Sequence, residues 1–102
     1  MNKVEINEIL EKYHNEIGKF SLVEKKLSKY PLVHAIMLLD QICFRNDSTQ
    51  RIDIGFGDEG ISLDLCDMDN LTNLTEDHII ELIRCGISYY DRLCFYYEDY
   101  IT

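Results

Sequence analysis

The stretch from residue 51 to residue 65 constrains this chain most, because apolar and polar residues alternate along it on both sides of a glycine-containing turn. Side chains of a strand point alternately to opposite faces. One face is apolar throughout and consists of Ile52, Ile54, Phe56, Ile61, Leu63 and Leu65. The pattern predicts a β-hairpin over 51–65, with Gly57 and Gly60 at its turn and its apolar face against a core.

Helical periodicity precedes the hairpin. Apolar residues recur at three- and four-residue spacing over 4–17, which predicts a first helix that ends near Gly18. Ser21 is a suitable cap for a short second helix, and Pro31 fits the first position of a third helix over 31–43. That third helix is apolar nearly all round, so we expect it to be covered on most sides and to be the most buried element.

A further helix and strands follow the hairpin. Thr75 is a predicted N-cap, and Gly86 is a predicted left-handed residue that closes the helix. Strand-forming residues then fill 87–97. We therefore expect one α+β domain over 1–102, with three N-terminal helices packed on a small antiparallel sheet. The sheet is built from hairpin 51–65 and the C-terminal strand, with one intervening helix.

Composition indicates a folded, soluble chain. Apolar residues make up 46 % of the 102 residues, too many for a disordered acidic tail. The four cysteines lie in apolar runs without a Cys-x-x-Cys pair, which favours core thiols over a disulfide or metal site. The start of the chain carries no apolar leader, and no run is long enough to cross a bilayer. We expect a cytoplasmic protein without a membrane partner.

The charge is unevenly distributed. Residues 52–83 contain nine carboxylates and no Lys or Arg, whereas the first 30 residues carry six Lys against five Glu. The net charge is −9. This asymmetry predicts a basic protein partner, and the same charge disfavours direct binding to nucleic acid. Many acidic proteins use such charge for solubility alone, and that interpretation stays open.

Tyrosine is concentrated near the end of the chain, where five of the seven lie between residues 89 and 100. Adjacent residues of a strand cannot point both rings the same way, so we expect at least one exposed ring. Exposed tyrosines beside carboxylates suit contact with Arg and Lys, although edge-strand tyrosines with wet hydroxyl groups remain an equal alternative. The candidate partner-binding residues are Asp53, Asp58, Glu59, Asp64, Asp67, Asp69, Glu76, Asp77, Tyr96, Tyr97, Glu98 and Asp99.

Four patterns that suggest chemistry have simpler explanations. The Gly-x-Gly-x-x-Gly run at 55–60 is followed by a strand pattern, so a hairpin turn is favoured over a dinucleotide site. Carboxylates over 64–70 lack the rest of a calcium loop and allow only a weak divalent-cation site. His34 has no ligand at helical spacing and reads as a half-buried structural residue, and His78 lies about two turns from Cys85. We expect neither catalytic residues nor a cofactor.

In size and acidity the chain resembles the small inhibitors of phages and mobile elements, of the anti-CRISPR and anti-restriction type. The segment from Pro31 to Asp40 and the run Ile83-Arg84-Cys85-Gly86 resemble uncharacterised phage proteins. The resemblance implies a nucleic-acid mimic that blocks a basic target such as a nuclease or CRISPR effector. Alternatives are a toxin-immunity protein, a small-ligand-binding oligomeric module that uses arginines, and a structural homodimer.

Overall fold

The computed structural model describes residues 2–44, 52–57, 60–65, 74–91 and 94–97. Its α-helices are α1 (Lys3–Lys12), α2 (Pro31–Leu39) and α3 (Glu76–Cys85), and its strands are β1 (Ile52–Gly57), β2 (Gly60–Leu65), β3 (Ile87–Asp91) and β4 (Cys94–Tyr97). The α+β architecture predicted from the sequence is confirmed.

The first helix is shorter than the prediction over 4–17. Asn2 and Glu5 form a reciprocal capping box at its start, and α1 ends at Lys12. The chain then tightens into a 3₁₀ turn over His14–Glu16. Tyr13 and Ile17 lie beyond α1 but still pack against the core. The apolar periodicity therefore continues beyond the α-helix.

The predicted second helix is wrong. The chain forms only a 3₁₀ turn over Phe20–Leu22, and Leu22 is exposed instead of facing inward. Side chains replace the helical hydrogen bonds here: the Leu27 N–H donates to His34 Nδ1 at 3.0 Å, and the Lys26 ammonium donates to the Val23 carbonyl at 2.8 Å. Backbone groups satisfied in this way have no need of a helix.

Pro31 occupies the start of α2, as predicted, and a π-helical turn over Asp40–Phe44 continues the helix. The expectation that this helix is covered on most sides is wrong, because Val33 and Met37 form an exposed face. Nor is it more buried than α3, since each helix buries four residues. Those of α2 are His34, Ala35, Leu38 and Leu39, and those of α3 are Ile79, Leu82, Ile83 and Cys85.

The third helix has the predicted ends. The Thr75 hydroxyl accepts from the His78 N–H, and the Thr75 N–H donates to His78 Nδ1. Gly86 closes α3 with a φ of 116°, in the left-handed region that suits glycine. Among the helices within the described ranges, none is long and apolar enough to cross a membrane.

The four strands form one antiparallel sheet in the order β1-β2-β4-β3. The hairpin is confirmed, with Ile52 opposite Leu65 and Gly57 opposite Gly60. Two further strands, β3 and β4, occupy the strand-forming segment 87–97, and β4 joins the hairpin through β2. The core lies on one face of this sheet, where Leu63, Phe95 and the inward side of α3 are buried together.

The N-terminal helix closes the β3 edge of the sheet. The Asn7 side chain donates from Nδ2 to the Tyr90 carbonyl at 2.8 Å, and its Oδ1 accepts from the Tyr90 N–H at 3.1 Å. Lys3 adds an ion pair with Asp91 at 2.6 Å. Because one amide side chain binds both backbone groups of Tyr90, it takes the place that a neighbouring strand residue would occupy.

Candidate partner-binding surface

The sheet face opposite the core carries a row of carboxylates. Asp53 lies opposite Asp64, Asp64 opposite Cys94, and Cys94 opposite Asp91. Residues directly opposite each other in antiparallel strands share a face, and their neighbours Leu63, Phe95 and Tyr90 point into the core. We call this side the open face, and Asp53, Asp64 and Asp91 the acidic row.

Two tyrosines lie next to the acidic row on the open face. Tyr96 of β4 pairs with Tyr89 of β3, and their rings stack with centroids 4.1 Å apart and planes 9° from parallel. Tyr89 is 38 % exposed. The stack lies two residues along the strands from Cys94 and Asp91, a distance of about 7 Å. Charge and aromatic surface therefore adjoin on one rigid face.

Other candidate residues lie elsewhere. Glu76 and Asp77 are exposed in the first turn of α3, which belongs to the helical layer on the core side. Tyr97 alternates with Tyr96 and packs against the core, as the period of a strand requires. The predicted acidic surface is thus divided between the two sides of the sheet. The candidates outside the described residues are Asp58, Glu59, Asp67, Asp69, Glu98 and Asp99, and most of the weak cation site proposed for 64–70 lies outside them too.

No family model, curated protein or solved structure matches this chain. The inference of function therefore starts from the geometry of the open face and from the charge of the chain.

Two residues of the open face were missed by the sequence analysis, Tyr89 and Asp91. Both lie on the side opposite the buried Tyr90. Strict alternation would put Ile87 on their side as well, but the register shifts between Ile87 and Tyr89, and Ile87 is buried. What the sequence could not supply is the strand order. Only the pairing of β4 between β2 and β3 brings Tyr89 against Tyr96 and Asp91 into line with Asp64.

His34 is a structural residue, as expected, but it is fully buried at 0 % exposure instead of half-buried. Its Nδ1 accepts from the Leu27 N–H, so the proton of the neutral ring is on Nε2, which donates to Glu81 Oε2 at 2.9 Å. The edge of Phe20 packs on the ring at a centroid distance of 5.5 Å. Both ring nitrogens are engaged, which leaves no lone pair for a ligand or a proton transfer.

The cysteines of the described region show no sign of catalytic activation. Cys85 is a free thiol in the core, and burial, aided by the charge of Glu81, raises its pKa to about 12. Such a thiol stays protonated at neutral pH and reacts slowly. Cys94 is half-buried on β4, while the side chains of Cys43 and Cys66 lie outside the described part. Within the described ranges, no three His, Cys, Asp or Glu side chains come together as a metal site.

Proposed function

We propose that this protein binds a basic protein through the open face and blocks it. The observation that carries the proposal is the acidic row beside the stacked pair Tyr89 and Tyr96, on one face of a sheet in a chain of net charge −9.

Arginine fits both parts of the open face. A guanidinium binds carboxylates through two parallel hydrogen bonds and also stacks on aromatic rings. Tyrosine and arginine are enriched among the residues that dominate binding energy at interfaces. The strands hold Asp53 and Asp64 side by side, so little conformational freedom is lost when a partner binds.

The target class follows from the same chemistry. A protein surface that presents clustered arginines most often serves to hold phosphates, and carboxylates on a rigid sheet can occupy that surface as a nucleic-acid mimic. A nuclease or CRISPR effector is the proposed target, which makes this a cytoplasmic anti-defence protein of a phage or mobile element. A basic toxin would offer the same complementarity, so immunity is the second candidate.

The small-ligand alternative receives less support from the described residues. An anionic ligand needs basic groups, and this hypothesis relies on arginines. Arg84 lies within the described ranges, and its Nε donates to Glu16 Oε2 at 3.1 Å. Arg84 therefore already forms an ion pair with Glu16, on the side of the sheet that the helices cover.

The test compares two double variants with the same change in charge. The first, Asp53→Asn with Asp64→Asn, neutralises two carboxylates of the open face. The second, Glu76→Gln with Asp77→Asn, neutralises two on α3. Each immobilised protein is presented with purified nucleases, CRISPR effectors and basic toxins at about 0.1 M and about 0.5 M salt, where surface attraction is largely screened at the higher concentration.

We expect one target to bind the native chain and the α3 variant equally well and to be released by salt. The same target should bind the open-face variant more weakly, by about tenfold or more. Inhibition of that target should follow the same order. Equal weakening by both variants would mean that net charge alone attracts the target. Unchanged binding by the open-face variant would refute this surface as the site.

A further inference from the structure

The two edges of the sheet are treated differently. At the β3 edge, Asn7 occupies both backbone groups of Tyr90. β1 forms the other edge and is paired on its inner side with β2. The direction in which the backbone groups of β1 point can be worked out from the Asn7 contact and the strand register.

In an antiparallel sheet, successive residues of a strand direct their N–H and C=O alternately toward one neighbouring strand and the other. Those of Tyr90 point away from β4, because they meet Asn7. The opposite residue, Phe95, therefore directs its groups toward β2 and Leu63. Leu63 in turn directs its groups toward β4, away from Ile54.

It follows that the N–H and C=O of Ile54 point outward from the β1 edge. By this register the two groups do not face β2, and the Ile54 side chain is 43 % exposed. An edge with an unpaired donor and acceptor beside apolar surface is a template for another strand. Within the described ranges, the Asn7 side chain thus closes the β3 edge at Tyr90, and no side-chain hydrogen bond closes the β1 edge at Ile54.

We propose that an extended segment of the basic partner adds to β1 as a fifth strand. The proposal rests on the proposed function and specifies how the partner binds. Alternate residues of the segment would be basic on the open face, beside Asp53, and apolar on the core side, beside Ile54.

Charge complementarity favours a basic segment over a second copy of this chain at the β1 edge. A second copy of this chain would bring another net charge of −9 and another Asp53 to the same edge, and like charges across a strand pair are destabilising. A segment of alternating basic and apolar residues meets the carboxylates and Ile54 at once. The acidic row then extends by one strand into a contact with the partner.

The test uses a short synthetic peptide of alternating arginine and valine as the probe. Its control is the same peptide N-methylated at the residues that would donate to the β1 edge. On the protein, Ile54→Pro removes the outward N–H, a change that edge strands tolerate, and Ile54→Thr retains the N–H while it shortens the apolar side chain. Affinities are measured by calorimetry.

Ile54→Thr keeps the outward N–H and loses part of the apolar contact, so we expect it to bind the peptide up to about threefold more weakly than the native protein. Ile54→Pro and the N-methylated peptide should each weaken binding about tenfold, as the loss of main-chain hydrogen bonds requires. The N-methylated peptide leaves the protein unchanged, so its result decides the question even if Ile54→Pro fails to fold.

If the N-methylated peptide bound as tightly as the unmethylated one, strand addition would be refuted. The peptide would then bind through its side-chain charges alone, which the proposed function permits. Failure of the proposed function is a different result, in which Asp53→Asn with Asp64→Asn leaves target binding unchanged. If sedimentation showed a native dimer that Ile54→Pro dissociates, the edge would belong to a second copy, and a basic partner there would be ruled out.

Discussion

At the residue scale, the buried imidazole of His34 joins two distant parts of the chain. One ring nitrogen accepts from the backbone of Leu27 and the other donates to Glu81. The irregular segment before α2 is thereby fastened to α3. Glu81, one of the nine carboxylates of residues 52–83, thus has a structural role instead of belonging to a binding surface.

Glu81→Ala should lower the free energy of unfolding by about 1–3 kcal/mol, because it leaves the buried Nε2–H of His34 without an acceptor. Glu81→Gln keeps an oxygen that accepts the hydrogen bond from His34 Nε2–H, so it should lower the free energy of unfolding clearly less. Urea denaturation of the two variants measures the difference. Equal losses would show that the charge of Glu81 matters and its hydrogen bond does not.

Glu16 provides a pH-dependent contribution to stability. Its hydrogen bond to Arg84, together with the charge of Lys19, lowers its pKa below the ordinary value of 4.5. A carboxylate whose pKa is lower in the folded state stabilises that state above its unfolded pKa, and the benefit is lost as the pH falls through the folded pKa. The native chain should therefore exceed Glu16→Gln in stability at pH 7.

This difference should shrink steadily as the pH falls below about 4.5 and vanish in stronger acid. Urea denaturation of the native chain and of Glu16→Gln from pH 7 to pH 3 measures this stability difference through the two midpoints. Glu11→Gln removes a carboxylate from an exposed position of α1 and is the matched control for the loss of one charge. A gap that persists unchanged into acid would mean that Glu16 contributes through packing instead of charge.

At the scale of elements, two glycines with positive φ allow the cost of backbone strain to be compared with the cost of a steric clash. Gly18 has a φ of 87° and open space where a Cβ would stand, whereas Gly60 has a φ of 110° and would place a Cβ 2.7 Å from the Tyr97 carbonyl oxygen. Gly18→Ala should cost about 1–2 kcal/mol from strain alone. Gly60→Ala should cost more, because the β2–β4 pair must also move apart.

Thermal denaturation of the two alanine variants checks this order. Backbone amide exchange in β4 should accelerate more in Gly60→Ala than in Gly18→Ala, because only the first variant also disturbs the β2–β4 pair. If the two variants lost equal stability, the close approach of Gly60 to Tyr97 would carry no energetic weight.

The elements that the sequence predicts well are those with a local signal. Alternation identified the hairpin, and caps at Thr75 and Gly86 bounded α3. The segment over 18–30 was mispredicted because side chains satisfy part of its backbone, His34 from outside the segment and Lys26 from within it. Tyr89 and Asp91 of the open face were likewise missed, since the neighbours of β4 are set by packing. Local patterns cannot report contacts between residues far apart in sequence.

At the scale of the whole molecule, the charge of −9 opposes compaction. The Debye length falls from about 30 Å at 0.01 M salt to about 10 Å at 0.1 M, so repulsion across the molecule is screened over that range. We expect the urea midpoint to rise when sodium chloride is increased from about 0.01 to about 0.2 M.

Asp53→Asn with Asp64→Asn removes two of these charges and should show a smaller rise with salt. A midpoint that falls with salt would indicate that ion pairs such as Lys3 with Asp91 outweigh the net repulsion.

The contact between Asn7 and Tyr90 also has a consequence for how the chain is made. The two residues are 83 positions apart, so a ribosome releases α1 long before it has synthesised the strand that α1 covers. Until then Ile6 and Leu10, both buried in the finished fold, have no sheet to pack on. Folding of the nascent chain must therefore wait for its last strands, and the first helix emerges as a segment that chaperones can hold.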